Sequence, residues 1–268
     1  MSYEAILYDV EDGVATITLN KPERLNAFDD EMLGEWLDAV VKADQDREVR
    51  AVIITGNGRG FCSGMNVAGE VSGNSVLQSG QRVDIRRHSL RDSVHPIARA
   101  LIQMEKPYIA AINGAATGAG MDMASMADIR FASTSARVGM SYVKMGLIPG
   151  DGGTYMLPRI VGTQRALDMI WTGKLINAEE MLAIGYVLAV YEPAELLPKV
   201  KEYAKQIARG PATAVQLAKK LTYRSENIPF DEHLDMAQMA MFIAQTTEDA
   251  KEGPRAFIEK RDPQWKGF

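Results

Sequence analysis

The sequence predicts an α/β protein with a parallel sheet in its core and a helical C-terminal region. Short apolar runs such as AVIIT at 51–55 and YIAAI at 108–112 are typical of buried parallel strands. Segments with helical periodicity lie between such runs, and this alternation is the pattern of parallel α/β folds. From about Ala194 onward the strand-like runs stop and amphipathic segments follow, which indicates a C-terminal bundle of helices.

The chain opens with a predicted β-hairpin. EAILYDV and VATITLN are rich in β-branched and aromatic residues, and the EDG between them is a turn signal. Asp29 or Asp30 can cap the helix that follows, because apolar residues recur beyond it at three- and four-residue spacing. These apolar positions are Met32, Leu33, Trp36, Leu37, Val40 and Val41.

Further along, MDMASMA at 121–127 predicts a short apolar helix and DIRFAS at 128–133 predicts another strand. The segment from Val67 to His95 is polar and weakly periodic, which predicts a mobile loop with some helix. Four amphipathic segments then predict the C-terminal helices: LLPKVKEYAKQIA, ATAVQLAKKLTY, LDMAQMAMFIAQ and PRAFIEKR.

Composition excludes several classes of function. A chain of 268 residues with 46% hydrophobic residues can bury a substantial core, and a net charge of -5 argues against a nucleic-acid partner. Cys62 is the only cysteine and the three histidines are far apart, so neither an intramolecular disulfide nor a bound metal is expected. The sequence shows no signal segment and no apolar window of membrane-spanning length, so a cytoplasmic protein without a membrane partner is expected.

Two glycine-rich segments follow apolar strands, GNGRGFCSGMN at 56–66 and NGAATGAGMDM at 113–123. Neither fits a nucleotide loop, because Phe61 replaces the third small residue of the dinucleotide fingerprint and the Gly-Lys-Ser/Thr ending is absent. One such turn would indicate only tight backbone packing. Two of them can direct backbone N–H groups at a single oxygen and form an oxyanion hole.

Five segments together resemble, in order and spacing, the motifs of the crotonase superfamily, the enoyl-CoA hydratases and isomerases. They are NKPERLNAF, GNGRGFCSGMN, INGAATGAGMDMASMADIRFAS, GLIPGDGGTYMLPRIVG and AFIEKRDPQWKG. The resemblance implies a crotonase-like spiral of ββα turns over residues 1–195, with the active site, and a helical trimerisation region over 196–268. It also implies an acyl-CoA thioester substrate, no cofactor besides the coenzyme A of that substrate, and a homotrimer or dimer of trimers.

The same resemblance implies roles for single residues. The backbone N–H groups of Met65 and Ala119 would be the oxyanion donors. Coenzyme A would be bound by Lys21, Arg24, Leu25, Gly64 and Lys260, the last acting on the ligand of a neighbouring subunit. Ordinary surface charge is the alternative interpretation for Lys21, Arg24 and Lys260.

Three residues are candidates for acid–base chemistry. The two glutamates of the hydratases correspond to Asp122 and Tyr142, and Asp151 stands where the dienoyl-CoA isomerases of the superfamily carry an aspartate. We expect Asp122 and Asp151 to face each other in an apolar pocket that raises both pKa values. Alternatively, Asp151 caps the helix beginning at GGTYML and Asp122 binds the turn. Tyr142 is a candidate hydrogen-bond donor to the substrate, although a packing role is favoured.

The predicted function is enoyl-CoA hydration or isomerisation through a thioester enolate, with Asp122 and Asp151 as acid and base. A second interpretation is an acyl-CoA hydrolase or dehalogenase-like enzyme with Asp151 as nucleophile. A third is a catalytically degenerate member that binds coenzyme A without turnover, because Tyr142 replaces an acid. Cys62 is not expected to be a nucleophile, since no partner motif accompanies it.

Overall fold

The N-terminal hairpin joins strand β1 (Ile6–Glu11) to strand β2 (Val14–Leu19) in antiparallel register. The computed structural model describes residues 3–66 and 89–267. Asp12 and Gly13 form the turn with φ angles of 50° and 78°, the left-handed pair that a two-residue hairpin requires. The hairpin predicted from the EDG turn is therefore confirmed.

A six-stranded sheet runs through the centre of the molecule. Its order is β1-β2-β3-β5-β7-β10, and every pairing from β2 to β10 is parallel. The four further strands are β3 (Ala51–Gly56), β5 (Tyr108–Ile112), β7 (Ile129–Ser133) and β10 (Ala189–Tyr191). The strands predicted from AVIIT, YIAAI and DIRFAS thus belong to one parallel sheet.

A second sheet has the order β4-β6-β8-β9. Its strands are β4 (Gly60–Cys62), β6 (Ala115–Thr117), β8 (Arg137–Gly139) and β9 (Ile176–Asn177). Each of β3, β5 and β7 is followed in the chain by a strand of this smaller sheet. The chain therefore places one strand in each sheet per turn, which is the spiral of ββα units that the sequence predicts.

The described helices lie between the strands and beyond them. The first seven are α1 (Asp30–Gln45), α2 (Ser89–Asp92), α3 (His95–Gln103), α4 (Ala119–Ser125), α5 (Gly153–Val161), α6 (Thr163–Thr172) and α7 (Ala178–Ala183). The C-terminal region adds α8 (Pro193–Ala208), α9 (Ala212–Arg224), α10 (Phe230–Gln245) and α11 (Asp249–Glu259). Short 3-10 turns occur at Pro22–Arg24 and Ser141–Met145.

The six-stranded sheet is covered on both faces, because alternate residues of a strand point to opposite sides. Val52 and Ile54 of β3 belong to the large core cluster that contains Trp36 of α1. Ile53, between them, packs in a second cluster with Leu196 and Val200 of α8. A strand buried on both faces has to be apolar throughout, which explains the uninterrupted AVII run.

Helix α1 begins as its sequence predicts. The Asp29 carboxylate accepts a hydrogen bond from the backbone N–H of Met32 at 3.1 Å and caps the helix. Most of the predicted apolar positions are buried or half-buried, whereas Val41 is 39% exposed. Val41 lies at one edge of the apolar stripe of this helix, where a side chain remains accessible to solvent.

Two further expectations concern the polar segment from Val67 to His95 and the boundary between the two predicted regions. Of the polar segment from Val67 to His95, residues 67–88 lie outside the described residues, and the remainder contains α2 and the first residue of α3. The expected division between residues 195 and 196 falls inside α8, and it stays a prediction. Among the described helices, none is long and apolar enough to cross a bilayer.

Candidate active site

The two glycine-rich turns lie against each other at the ends of β4 and β6. Gly64 has a φ of +94°, and a Cβ placed on it would lie 2.9 Å from the Thr117 carbonyl oxygen and 3.4 Å from the Ala119 nitrogen. Only glycine allows both this backbone conformation and this close approach. The sequence interpretation of the two turns as one site therefore matches their positions.

The backbone N–H groups of Met65 and Ala119 are both available to a ligand. Met65 pairs in parallel with Phe28. The N–H of Phe28 donates to the Gly64 carbonyl, and the carbonyl of Phe28 accepts from the N–H of Asn66. The N–H of Met65 therefore points away from Phe28. Ala119 is the first residue of α4, where an N–H has no acceptor within the helix. Neither amide has a hydrogen-bond acceptor among the described residues.

Asp122 lies in the first turn of α4 and is fully buried. Its Oδ2 accepts a hydrogen bond from the backbone N–H of Asp151 at 3.2 Å. A Cβ on Gly153 would lie 2.0 Å from Asp122 Oδ1, so this carboxyl occupies the space that a side chain at residue 153 would fill. Asp122 therefore binds the turn, as the alternative interpretation expects, and this contact does not exclude a chemical role.

Asp151 is 3% exposed and precedes helix α5 without capping it. The residue at the cap position is Gly152, with a φ of 109° and no side-chain hydrogen bond to the helix. The alternative in which Asp151 caps this helix is therefore wrong. The carboxylate of Asp151 instead accepts a hydrogen bond from the Tyr142 hydroxyl at 2.9 Å.

The Tyr142 hydroxyl lies between the two carboxyl groups. Its Oη is 2.7 Å from Asp122 Oδ2 and 2.9 Å from Asp151 Oδ2. The other oxygen of each carboxyl, Oδ1, is buried and has no hydrogen-bond partner among the described residues. The three candidate residues, from three chain segments, thus form one cluster. The favoured packing role of Tyr142 is incomplete, because its hydroxyl contacts both acids.

Burial sets the charge state of this cluster. Desolvation and the neighbouring charge of Asp151 together raise the pKa of Asp122 to about 7, against hydrogen bonds that lower it. Desolvation also raises the pKa of Asp151, although the Tyr142 hydrogen bond and nearby His95 act in the opposite direction. Desolvation and both carboxylates raise the pKa of Tyr142, so the phenol stays protonated.

The candidate coenzyme A residues divide into two groups. Lys21 forms ion pairs with Asp29 at 2.6 Å and Glu31 at 2.7 Å, while Arg24 lies 3.6 Å from Asp29. Leu25 lies beside them with its carbonyl bound to the N–H of Ser63 at 3.0 Å, one residue before Gly64. Lys21, Arg24, Leu25 and Gly64 therefore border the same turn.

Lys260 is placed elsewhere. It ends helix α11 in the C-terminal region with a φ of 53°. No hydrogen bond or ion pair within residues 3–66 and 89–267 links it to the other four coenzyme A candidates. Its expected action on a neighbouring subunit's ligand stays a prediction.

Sequence reasoning missed two residues that support the site. The Asn26 side chain is fully buried and donates to the carbonyls of Asn57 at 2.9 Å and Gly60 at 2.8 Å, which holds the coenzyme A candidates against the first glycine turn. His95 Nε2 lies 2.9 Å from the Gly150 carbonyl, one residue before Asp151. Each acts through a contact with a distant part of the chain, and no local pattern signals such a contact.

Cys62 lies beneath the first glycine turn rather than in the cluster. It is fully buried, and desolvation raises the pKa of its thiol to about 12, so it stays protonated and unreactive. Among the described residues, no group of histidine, cysteine, aspartate and glutamate side chains has an arrangement suited to a metal ion.

Comparison with known proteins decides the family. Residues 9–267 match the family model described as enoyl-CoA hydratase/isomerase. The chain belongs to the enoyl-CoA hydratase/isomerase family. It is 36% identical over 264 residues to the 1,2-epoxyphenylacetyl-CoA isomerase of Escherichia coli strain K12, covering 98% of this chain and 99% of that protein. It is 37% identical to the short-chain-enoyl-CoA hydratase of Clostridium acetobutylicum, covering 97% of each.

The fold of this enoyl-CoA hydratase/isomerase family member is likewise shown by solved structures. A crystal structure of a putative enoyl-CoA hydratase/isomerase from Mycobacterium abscessus matches with a TM-score of 0.93 at 31% identity, covering 98% of this chain and 100% of that one. The expectation of a crotonase-type α/β fold with a helical C-terminal region is confirmed.

Proposed function

We propose that the protein is an enoyl-CoA hydratase or isomerase that moves protons on the acyl chain of a bound enoyl-CoA. The observation that carries this proposal is the pairing of Asp122 with Asp151 around the Tyr142 hydroxyl, beside two backbone amides that have no acceptor among the described residues. The pair supplies an acid and a base. The amides supply the site for negative charge.

The amides of Met65 and Ala119 are proposed to bind the thioester carbonyl oxygen. Removing a proton next to a thioester, or adding water across its conjugated double bond, places negative charge on that oxygen. Two fixed N–H donors stabilise the resulting enolate, and each such donor contributes about 2.7 to 4 kcal/mol to the transition state. Both belong to glycine turns whose conformation is set before substrate arrives, so no reorganisation is needed during the reaction.

Asp122 and Asp151 are proposed to be the acid and the base. With the pKa of Asp122 raised to about 7 and that of Asp151 also raised, the pair can hold one proton at neutral pH while the other carboxylate accepts one. Both isomerisation and hydration need one proton taken and one returned. The cluster therefore supports this class of reaction without a metal or a further cofactor.

The experiment is a substrate panel. The wild type and the variants Asp151→Asn and Asp9→Asn would be incubated with crotonyl-CoA, a medium-chain enoyl-CoA, a cyclic enoyl-CoA and a dienoyl-CoA, and product mass would be recorded. A mass gain of one water identifies hydration, and an altered absorbance with unchanged mass identifies isomerisation. Asp151→Asn should abolish turnover, whereas Asp9→Asn, on the exposed part of β1, should not. Full turnover by Asp151→Asn would refute the acid–base assignment.

One observation favours a second candidate reaction. Asp151 Oδ1 has no hydrogen-bond partner, so one oxygen of this carboxylate is free to attack an acyl carbon, as a hydrolase or dehalogenase-like enzyme would require. Single-turnover reaction in oxygen-isotope water would transfer the label to Asp151 in that case. An unlabelled enzyme that turns substrate over would leave proton transfer as the mechanism. A degenerate member would bind coenzyme A without any reaction on the panel.

The proposed substrate complex and assembly follow the family. Lys21, Arg24, Leu25 and Gly64, with Lys260 of an adjacent subunit, would hold the coenzyme A part of an acyl-CoA thioester. The homotrimer or dimer of trimers is supported by helix α10, which buries no residue in the single chain although it carries many apolar side chains. Those exposed by at least one third include Phe230, Leu234, Met239, Met241, Phe242 and Ile243.

A further inference from the structure

The hydroxyl of Tyr142 makes two short contacts but carries one hydrogen. It lies 2.7 Å from Asp122 Oδ2 and 2.9 Å from Asp151 Oδ2, both within ordinary hydrogen-bond distance. A phenol donates once and accepts through its oxygen lone pairs. One carboxyl proton satisfies both contacts, because the carboxyl that holds it donates to the tyrosine oxygen while the phenol donates to the other carboxylate.

The surroundings favour the same single proton. Within residues 3–66 and 89–267, neither carboxyl has a hydrogen-bond partner for its buried Oδ1, and neither forms an ion pair with a lysine or arginine. Two adjacent carboxylates repel each other strongly in such a place, and binding one proton removes most of that cost. His95 lowers the pKa of Asp151 through its charge, but its ring contacts the Gly150 carbonyl rather than either carboxyl.

The three groups form an unbroken chain of hydrogen bonds. In one state Asp122 donates to the oxygen of Tyr142, which donates to the Asp151 carboxylate. In the other state both hydrogens have shifted, so that Asp151 donates to Tyr142 and Tyr142 donates to the Asp122 carboxylate. Two O–H bonds break and two form, and the cluster keeps the same net charge. The two states differ only in which aspartate holds the proton.

We propose that Tyr142 relays the shared proton between Asp122 and Asp151 and thereby resets the enzyme after each turnover. The inference rests on the proposed function and deepens it. During the reaction one carboxylate takes a proton from substrate carbon or from water, and the electron pair of the broken bond moves toward the thioester carbonyl. The protonated carboxyl returns a proton to a substrate carbon as the carbonyl reforms.

After this step the proton is on the wrong aspartate for the next substrate. Both carboxyls are almost completely buried, at 0% and 3% exposure, so exchange with bulk water is restricted. The paired shift through Tyr142 restores the first state without solvent. Tyr142 is thus a positioning group for protons, and it need not contact the substrate itself.

The test compares the first turnover with the later ones. Tyr142→Phe would be mixed with a β,γ-enoyl-CoA and with crotonyl-CoA under rapid-quench conditions, beside the wild type and Tyr186→Phe. Tyr186 is a fully buried tyrosine whose hydroxyl contacts Ser125 Oγ at 3.1 Å, whereas Tyr142 is partly buried, so Tyr186→Phe controls for loss of a tyrosine hydroxyl from the core. We expect Tyr142→Phe to form about one product per site rapidly and then to slow by about 100-fold, the lower range for a lost proton-transfer group. Wild type and Tyr186→Phe should show no burst.

Other results would overturn the relay. Tyr142→Phe that matches the wild type in every phase would show that no relay is needed. Equal slowing of first and later turnovers would place Tyr142 in the chemical step instead. If the wild type forms no product with any substrate, the proposed function is refuted together with the relay. Failure of the relay alone is therefore distinguishable from failure of the proposed function. Thermal unfolding of each variant would verify that it is folded.

A measurement without substrate tests the shared proton directly. The infrared spectrum of the wild type at neutral pH should contain a protonated-carboxyl C=O band that shifts in Tyr142→Phe and disappears in Asp122→Asn. Absence of this band from the wild type would overturn the proposal, because both aspartates would then be ionised.

Discussion

Gly153 shows at the level of single residues how the acid pair is assembled. It has no side chain, and the Asp122 carboxyl occupies the resulting space, 2.0 Å from where a Cβ would be. A turn with three glycines around one aspartate therefore serves two acids at once, because it orients Asp151 and leaves room for Asp122.

Replacing Asp122 should change how stability depends on pH. Its pKa is raised from 3.8 in the unfolded chain to about 7 in the folded protein, with Asp151, Tyr142 and His95 as the charged or titratable groups nearby. Between these values the folded state holds a proton that the unfolded state releases. The free energy of unfolding of the wild type therefore falls as pH rises from about 4 to about 7, by at most about 4 kcal/mol.

Asp122→Asn does not ionise and should lose less stability over this range. Thermal unfolding at several pH values would measure the difference, and the variant should be more stable than the wild type at pH values above about 7. Asp9→Asn, at an exposed position on β1, should keep the pH dependence of the wild type. Parallel curves for the wild type and Asp122→Asn would show that the buried acid does not retain its proton.

At the level of elements, the candidate oxyanion hole depends on the contact between two turns. Strands β4 and β6 are neighbours in the smaller sheet, so the segments that follow them leave at the same edge. The N–H of Ala119 is free because a helix begins there, and that of Met65 is free because of its pairing with Phe28. Regular secondary structure thus leaves both donors without an acceptor in the part of the chain that the structure describes.

Gly64→Ala should disrupt this contact. The added Cβ would approach the Thr117 carbonyl oxygen to 2.9 Å and displace Met65 from its position. We expect kcat to fall by about 100-fold to 1000-fold, as for loss of one oxyanion donor, with a smaller effect on stability.

Gly185→Ala is the matched control for that variant. Gly185 also has a positive φ, +75°, but a Cβ there would meet no atom within 4 Å. It imposes similar backbone strain of about 1 to 2 kcal/mol without moving the turn. Equal activity losses in the two variants would attribute the effect to strain rather than to the displaced amide.

For the whole molecule, the C-terminal helices separate into two kinds. Helix α8 packs on the central sheet through Leu196, Val200, Ala204 and Ala208, all buried. Helix α10 buries none of its residues, and Phe242 is 66% exposed. Apolar faces of this size are uncommon on monomers and are typical of subunit interfaces. The exposed apolar side chains of α10 are therefore the surface to which we assign the proposed subunit interface.

Phe242→Glu should weaken the proposed trimer. A carboxylate placed in an apolar subunit interface loses its hydration without a partner, so association becomes unfavourable. Light scattering coupled to size-exclusion chromatography should give a trimer or hexamer for the wild type and smaller species for the variant. Leu7→Glu, at an exposed apolar position on β1, should keep the assembly of the wild type. A monomeric wild type would refute the proposed assembly.

The sequence by itself determined the class of fold and most of the elements. Apolar runs such as AVIIT identify strands buried on both faces, and Asp29 identifies the start of α1, because these signals depend on residues within one or two turns of each other. The glycine-rich segments also marked both turns of the candidate site. Their motifs in order indicated the family.

Only the tertiary structure decided what the polar side chains do. Asp151 was open to two interpretations in the sequence, and the position of Gly152 as the helix cap excluded one of them. The place of Tyr142 between two acids depends on segments 9 and 20 residues away that meet only in the folded chain. Hydrogen bonds and pKa values follow from distances between such segments, and local sequence patterns do not carry those distances.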